Sequence, residues 1–159
     1  MQIVYPYLPQ KYESIPGVFK IGYYNVELES FFKQKARELL ENIQNMGKGF
    51  QRTFLRAFFD DEGSVYFIRK RRAVRGYQHN AKILMLIKRL LKNFSIKSNV
   101  DEKYNEIMIT RKENILRFAK EINFSKGVRV NGNRSNSIWR KSLEKREILR
   151  RALASYLKN

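Results

Sequence analysis

The chain has 159 residues, with 33 Lys and Arg against 15 Asp and Glu, a formal charge of +18 and a pI near 10.3. Such an excess repels the folded chain from itself unless a polyanion is near, which points to nucleic acid or an anionic membrane as partner. A hydrophobic content of 43% with 11 Phe and 9 Tyr is enough for a packed core, so a disordered basic tail is excluded.

The length fits one domain, or one domain with a modest extension. No stretch is apolar for long enough to span a bilayer, which favours nucleic acid over membrane. The first residues lack the basic, apolar and small-residue pattern of a secretory signal. With no Cys there is no disulfide framework and no Cys-ligated zinc, so the expected setting is intracellular, in cytoplasm or nucleoid. Absence of Cys with dense charge also fits a thermophile.

Residues 1–24 hold all three prolines and read as an irregular arm with a short strand at Val18–Ile21. From Glu27 to Gln44, Leu28, Phe31, Phe32, Leu39, Leu40 and Ile43 approximate one apolar helical face, which Gly47 and Gly49 end. A second helix is predicted over 50–62, with Phe54, Leu55, Phe58 and Phe59 at helical spacing and Gly63 in the position of a C-terminal cap. Val65–Arg71 alternates as a strand, and a basic turn leads to a returning strand at Val74–Gln78. Asn80 is a suitable N-cap for a helix whose core face is Ile83, Leu84, Ile87, Leu90 and Leu91. Strands at Ile96–Glu102 and Glu106–Thr110 follow, joined by a turn at Lys103–Asn105, then a helix at Lys112–Ile122. A Gly, Asn and Ser-rich loop over 125–137 precedes a basic helix at Ser142–Leu157. The expected division is an arm and helix (1–49), a core (50–124) and a basic loop and helix (125–159). The core order of helix, two strands, helix, two strands, helix is that of an α+β domain with an antiparallel sheet.

The most unusual feature is Asp60-Asp61-Glu62-Gly63, three acids in the last turn of a helix. The macrodipole already makes that end negative, so each carboxylate there is disfavoured by about 0.3–1 kcal/mol. Something positive must compensate them, either a metal ion or basic side chains such as Arg69–Arg72. A carboxylate presented to a phosphodiester suits a hard, oxygen-preferring cation such as Mg²⁺, which can activate water and stabilise a leaving oxygen.

The run Leu55-Arg56-Ala57-Phe58-Phe59-Asp60-Asp61-Glu62-Gly63 closely resembles the nine-residue LAGLIDADG signature. The longer FLRAFFDDEGSV (Phe54–Val65) is similar to archaeal and intein-associated members, and Asn93–Ser98 also matches, so the likeness covers roughly 50–124. The resemblance implies a LAGLIDADG homing endonuclease, of archaeal intron-encoded type, on an αββαββα fold whose sheet forms a saddle, with an N-terminal arm and a basic C-terminal helical extension. It implies that motif helices of two subunits pack at a dimer axis, with the small Ala57 admitting close approach and Leu55, Phe58 and Phe59 packing beside it. Glu62, where relatives more commonly have Asp, would hold Mg²⁺ together with main-chain oxygen at Gly63. Mn²⁺ would substitute, and Ca²⁺ would bind without supporting cleavage. One motif in the chain implies a homodimer, a roughly palindromic double-stranded DNA target and a cut that leaves 3′ overhangs.

With Val65 and Phe67 toward the helices, the resemblance turns Ser64, Tyr66, Ile68, Lys70 and Arg72 toward DNA, with Arg69, Arg71 and Arg75 in reach. On the third strand it assigns Lys97, Asn99, Asp101 and Lys103; an ordinary solvated strand face is the other reading. In the basic segment, Arg129, Arg134, Arg140, Lys141, Lys145 and Arg146 are expected on phosphates, and Trp139 to pack the extension on the core. Gln78, His79 and Arg111 are the accessory catalytic candidates. An RNA maturase acting on intron RNA, or a non-cleaving regulator on the same fold, is the alternative.

Overall fold

A computed structural model describes residues 10–15, 18–22, 25–68, 71–130 and 142–157. The chain divides into two units, Met1–Asn42 and Ile43–Asn159. The division therefore falls seven residues earlier than the sequence suggests, and the described C-terminal helix belongs to the same unit as the core.

In the first unit, β1 (Gln10–Ile15) pairs antiparallel with β2 (Val18–Gly22), so the expected short strand is one arm of a hairpin rather than an isolated piece. Helix α1 (Val26–Asn42) is capped by Asn25, whose Oδ1 accepts the Leu28 N–H at 2.8 Å. None of its residues is buried, and Phe32 is 61% exposed. Its apolar stripe is therefore not a core face in the way the periodicity suggests, and Ile43 is buried in the second unit instead.

The second unit runs α2 (Lys48–Glu62), β3 (Gly63–Ile68), β4 (Arg71–Tyr77), α3 (Ala81–Asn93), β5 (Asn99–Asp101), β6 (Glu106–Ile109), α4 (Lys112–Glu121) and α5 (Lys145–Ala154). The antiparallel sheet has the order β3-β4-β6-β5. Val74, Ile107 and Ile109 point from one face into a core with Leu84, Ile87, Leu90, Leu91 and Ile115. As expected, Asn80 caps α3, its Oδ1 accepting the Lys82 N–H at 3.0 Å. Gln51 anchors the start of α2 from inside, donating to the Gln44 and Met46 carbonyls and accepting from Asn93 Nδ2, each at 2.9 Å.

Two glycines fix how α2 meets the sheet. A Cβ on Gly76 would lie 2.6 Å from Phe58 Cε1, so the missing side chain lets the helix settle onto β4. Gly63 has φ −90°, ψ 153°, so it is not the left-handed cap that the sequence suggests. Glycine is needed there for space, because a Cβ would lie 2.2 Å from the Phe59 carbonyl oxygen. The helix passes into β3 with no intervening loop. Gly63→Ala is expected to cost about 1–3 kcal/mol or more through forced backbone movement, read as a drop in denaturation midpoint; an unchanged midpoint would contradict this packing.

Candidate active site and nucleic-acid face

The three acids at the end of α2 do different things. Asp60 Oδ1 accepts the Ser125 N–H at 2.9 Å, tying the helix to the loop after α4. Asp61 and Glu62 are exposed, and neither has a hydrogen bond or ion pair among the described residues. The intramolecular counter-charge is Lys145, the first residue of α5. Its side chain reaches under the end of α2, leaving the residue 7% exposed. Its Nζ donates to the Asp60 carbonyl at 2.5 Å and to the Phe59 carbonyl at 3.4 Å, and stands 5.8 Å from the Phe124 ring centre. Burial pulls the ammonium below its usual pKa, more than Asp60, Asp61 and Glu62 pull it back up.

This corrects two expectations. Lys145 is too buried to be the phosphate contact assigned to it. The basic partner of the acids is neither Arg71 nor Arg72, which pair with Ile68 and Phe67 at the other end of the β3–β4 ladder from Gly63; Arg69 and Lys70 are outside the described residues. Beneath this end, Phe59, Phe118 and Phe124 stack edge to face at 4.9 and 5.5 Å, giving the carboxylates a rigid floor.

Register decides which accessory candidates stand near Glu62. Gly63 pairs with Gly76, so Tyr77, Gln78 and His79 lie at the same end of the sheet as Glu62. His79 is exposed, its ring 4.9 Å from that of Tyr77 and both ring nitrogens within 3.2 Å of the Tyr77 hydroxyl. Gln78 Oε1 accepts the Asn80 N–H at 3.2 Å. Arg111 is not brought to them. Ile109 pairs with Val74 and Val74 with Val65, so Arg111 follows at the level of Arg72 and Phe67. That is four strand positions from Gly63, or roughly 13 Å. Gly63 itself is buried and its N–H donates to the Phe59 carbonyl; its carbonyl oxygen is the one atom of the residue with the chemistry of a metal ligand.

The residues expected at a dimer axis divide likewise. Leu55 and Phe59 are fully buried within this unit and cannot face a second chain, and Phe58 is half-buried against Gly76 and Phe59. Ala57 is exposed, and with Thr53, Asp61 and the 69% exposed Phe50 it forms the outward stripe of α2.

On the sheet face away from the helices, Ser64, Tyr66 and Ile68 align with Arg75, Ala73 and Arg71 of β4. Met108 and Glu106 of β6, and Asn99 and Asp101 of β5, extend the same face. Arg75 makes a close ion pair with Glu106 and stands 5.5 Å over the Tyr66 ring. Arg72 departs from the expected strand alternation. It pairs across the ladder with Phe67, on the helix side, where its Nε donates to Ser155 Oγ at 2.6 Å and its guanidinium lies 4.3 Å over Tyr156. A recess of about 530 Å³ on the open face is lined by Tyr66, Arg71, Arg72, Arg75, Arg111 and Tyr156 among others, so Arg111 and the unforeseen Tyr156 join this surface and the Arg72 side chain reaches its rim.

Lys97 and Lys103 are exposed but lie outside β5, which is shorter than predicted. Asp101 has a structural duty, its Oδ1 accepting the Lys103 and Tyr104 N–H groups of the turn. Exposed Arg129 binds Ser142 Oγ and carbonyl, at 3.1 and 2.7 Å. Arg134, Trp139, Arg140 and Lys141 are outside the described residues.

The model of the LAGLIDADG-like domain matches residues 49–123, which run from the start of α2 to the loop after α4. Those residues form a LAGLIDADG-like domain. The αββαββα order and four-stranded antiparallel sheet agree with that family's α+β fold. No curated protein and no solved structure matches the chain significantly. The α5 segment carrying Lys145 lies beyond the matched residues, so the LAGLIDADG-like domain draws its intramolecular counter-charge from outside itself. No helix among the described residues is long and apolar enough to cross a membrane.

Proposed function

We propose that this chain is a metal-dependent, site-specific DNA endonuclease that works as a homodimer. One observation carries the reading: Asp61 and Glu62 stand exposed and unpaired at the end of a motif helix, in a chain of net charge +18. Leaving carboxylates there is unfavourable for the helix, and a cation shared with a phosphodiester gives them a use.

The donor set fits Mg²⁺, since it consists of carboxylate and main-chain oxygen. Among the described residues no group of three acids or histidines gathers as a metal cage. That suits an ion which keeps several waters and takes the rest of its ligands from phosphates, with Glu62 of a second copy as a further donor. Glu62 would hold the ion and the Gly63 carbonyl would lie beside it. When bound, the cation supplies a more acidic water and stabilises charge on the leaving oxygen. Gln78 and His79, at the same end of the sheet, would orient water. Lys145 holds the final carbonyls of α2 in place, so that the carboxylates are presented in one direction.

The open face would lie along the major groove, with Arg71 and Arg75 as donors to base edges and Asn99 as a mixed donor and acceptor. Two copies related by a two-fold axis would read a roughly palindromic site and cut both strands, leaving 3′ overhangs. The outward stripe of α2 around Ala57 is the surface for that axis. Ala57→Glu is therefore expected to dissociate the dimer in sedimentation velocity and abolish double-strand cutting, with the melting of the fold unchanged. A wild-type chain that sediments as a monomer on DNA would contradict the arrangement. Incubation with a randomised-site plasmid library and Mg²⁺ tests the activity. Binding without cutting would move the assignment to an intron RNA maturase or a regulator.

A further inference from the structure

A recess of about 350 Å³ lies between α2, the end of α4, the loop after it and the start of α5. Arg56, Lys120, Lys126 and Arg146 line it together with Ser125, and no acid does. None of the four cations has an ion pair among the described residues. The contrast with Arg52, one turn earlier on α2, is direct, because that guanidinium is paired with Glu121 at 3.0 Å. Arg56 is held in place by its Nε donating to the Ile122 carbonyl at 2.8 Å, and its terminal amino groups have no protein partner among the described residues. Four like charges around one hollow repel each other, and an anion relieves that repulsion. The planar fork of a guanidinium matches phosphate oxygens. Arg56 precedes Glu62 by six residues, about 9 Å along the helix, so the hollow stands beside the acidic end and is separate from it.

We propose that this recess binds a phosphate group, and that the phosphate belongs to a nucleic-acid backbone; this choice of source rests on the nuclease reading. The test compares wild type, Lys126→Gln/Arg146→Gln, and a charge-matched control, Lys82→Gln/Lys88→Gln, altered at exposed positions of α3. Binding of a fluorescent DNA duplex is followed across a salt series, and inorganic phosphate is titrated separately and followed by ³¹P NMR. The recess variant is expected to reduce the salt slope by about one, the loss of one phosphate contact, and to lose phosphate binding, while the control keeps both. Loss of phosphate binding with an unchanged slope would overturn the nucleic-acid source in favour of a free phosphate. Wild-type behaviour in both measurements would overturn the site. Should wild type fail to bind DNA, the nuclease reading falls, and the phosphate titration still decides the recess by itself.

Discussion

Glu62→Gln should lower cleavage by roughly 10³-fold, since a metal-binding carboxylate supplies several kcal/mol of transition-state stabilisation. The same substitution should leave stability unchanged or raise it by about 0.3–1 kcal/mol, because it removes an exposed negative charge from the negative end of α2. The opposed signs are what distinguish a functional carboxylate from a structural one. Single-turnover cleavage and a thermal melt on the same preparation read both. Undiminished cutting by the variant would mean that the metal is held elsewhere, with the exposed Asp61 the next residue to test. A large loss of stability would mean that Glu62 has a structural partner.

Lys145→Met should act on the fold itself. The ammonium is buried at a net electrostatic cost, so its value does not lie in attraction to the acids alone. Removing it leaves the Asp60 carbonyl without this donor and Asp60, Asp61 and Glu62 without their intramolecular counter-charge. The expected loss is about 1–3 kcal/mol, partly recovered when Asp61→Asn is added. Burial holds the pKa of Lys145 below its ordinary 10.5. Between the depressed value and 10.5 the unfolded chain binds more protons at this group, so its contribution makes wild-type stability rise with pH. The variant lacks that rise. Denaturant midpoints over an alkaline pH series measure the difference. Equal midpoints for wild type and Lys145→Met throughout would rule out the capping role.

Much of this could be read from residue order, and the exceptions have physical reasons. The motif helix, the Asn80 cap and the apolar faces of the core helices are local patterns, and the structure follows them. Alternation continued through Val65–Arg71 as one strand misplaces Arg72 in the pleat. The hairpin turns within that run, and pairing Phe67 with Arg72 resets which side each later residue takes. Leu55 and Phe59 share the motif helix with Ala57, and helical spacing reveals stripes without saying which one a monomer buries first. The role of Lys145 did leave a signal. A lysine opening α5 opposes that helix's dipole, just as the acids closing α2 oppose theirs. Two helix ends with charges of the wrong sign resolve each other when they meet, and only the fold brings them together. Arg111 follows the last strand of the sheet, but at a level four strand positions away from Gly63, so nearness in residue order to a strand end does not bring it to Glu62.

The measurement that tests the central claim most directly is cleavage of a randomised-site plasmid library by the wild-type chain with Mg²⁺, with the ends of the products sequenced. Discrete double-strand breaks at a roughly palindromic sequence, with 3′ overhangs and none when Mg²⁺ is chelated, are the predicted result. Stable binding to the library with no breaks at any Mg²⁺ concentration would contradict it.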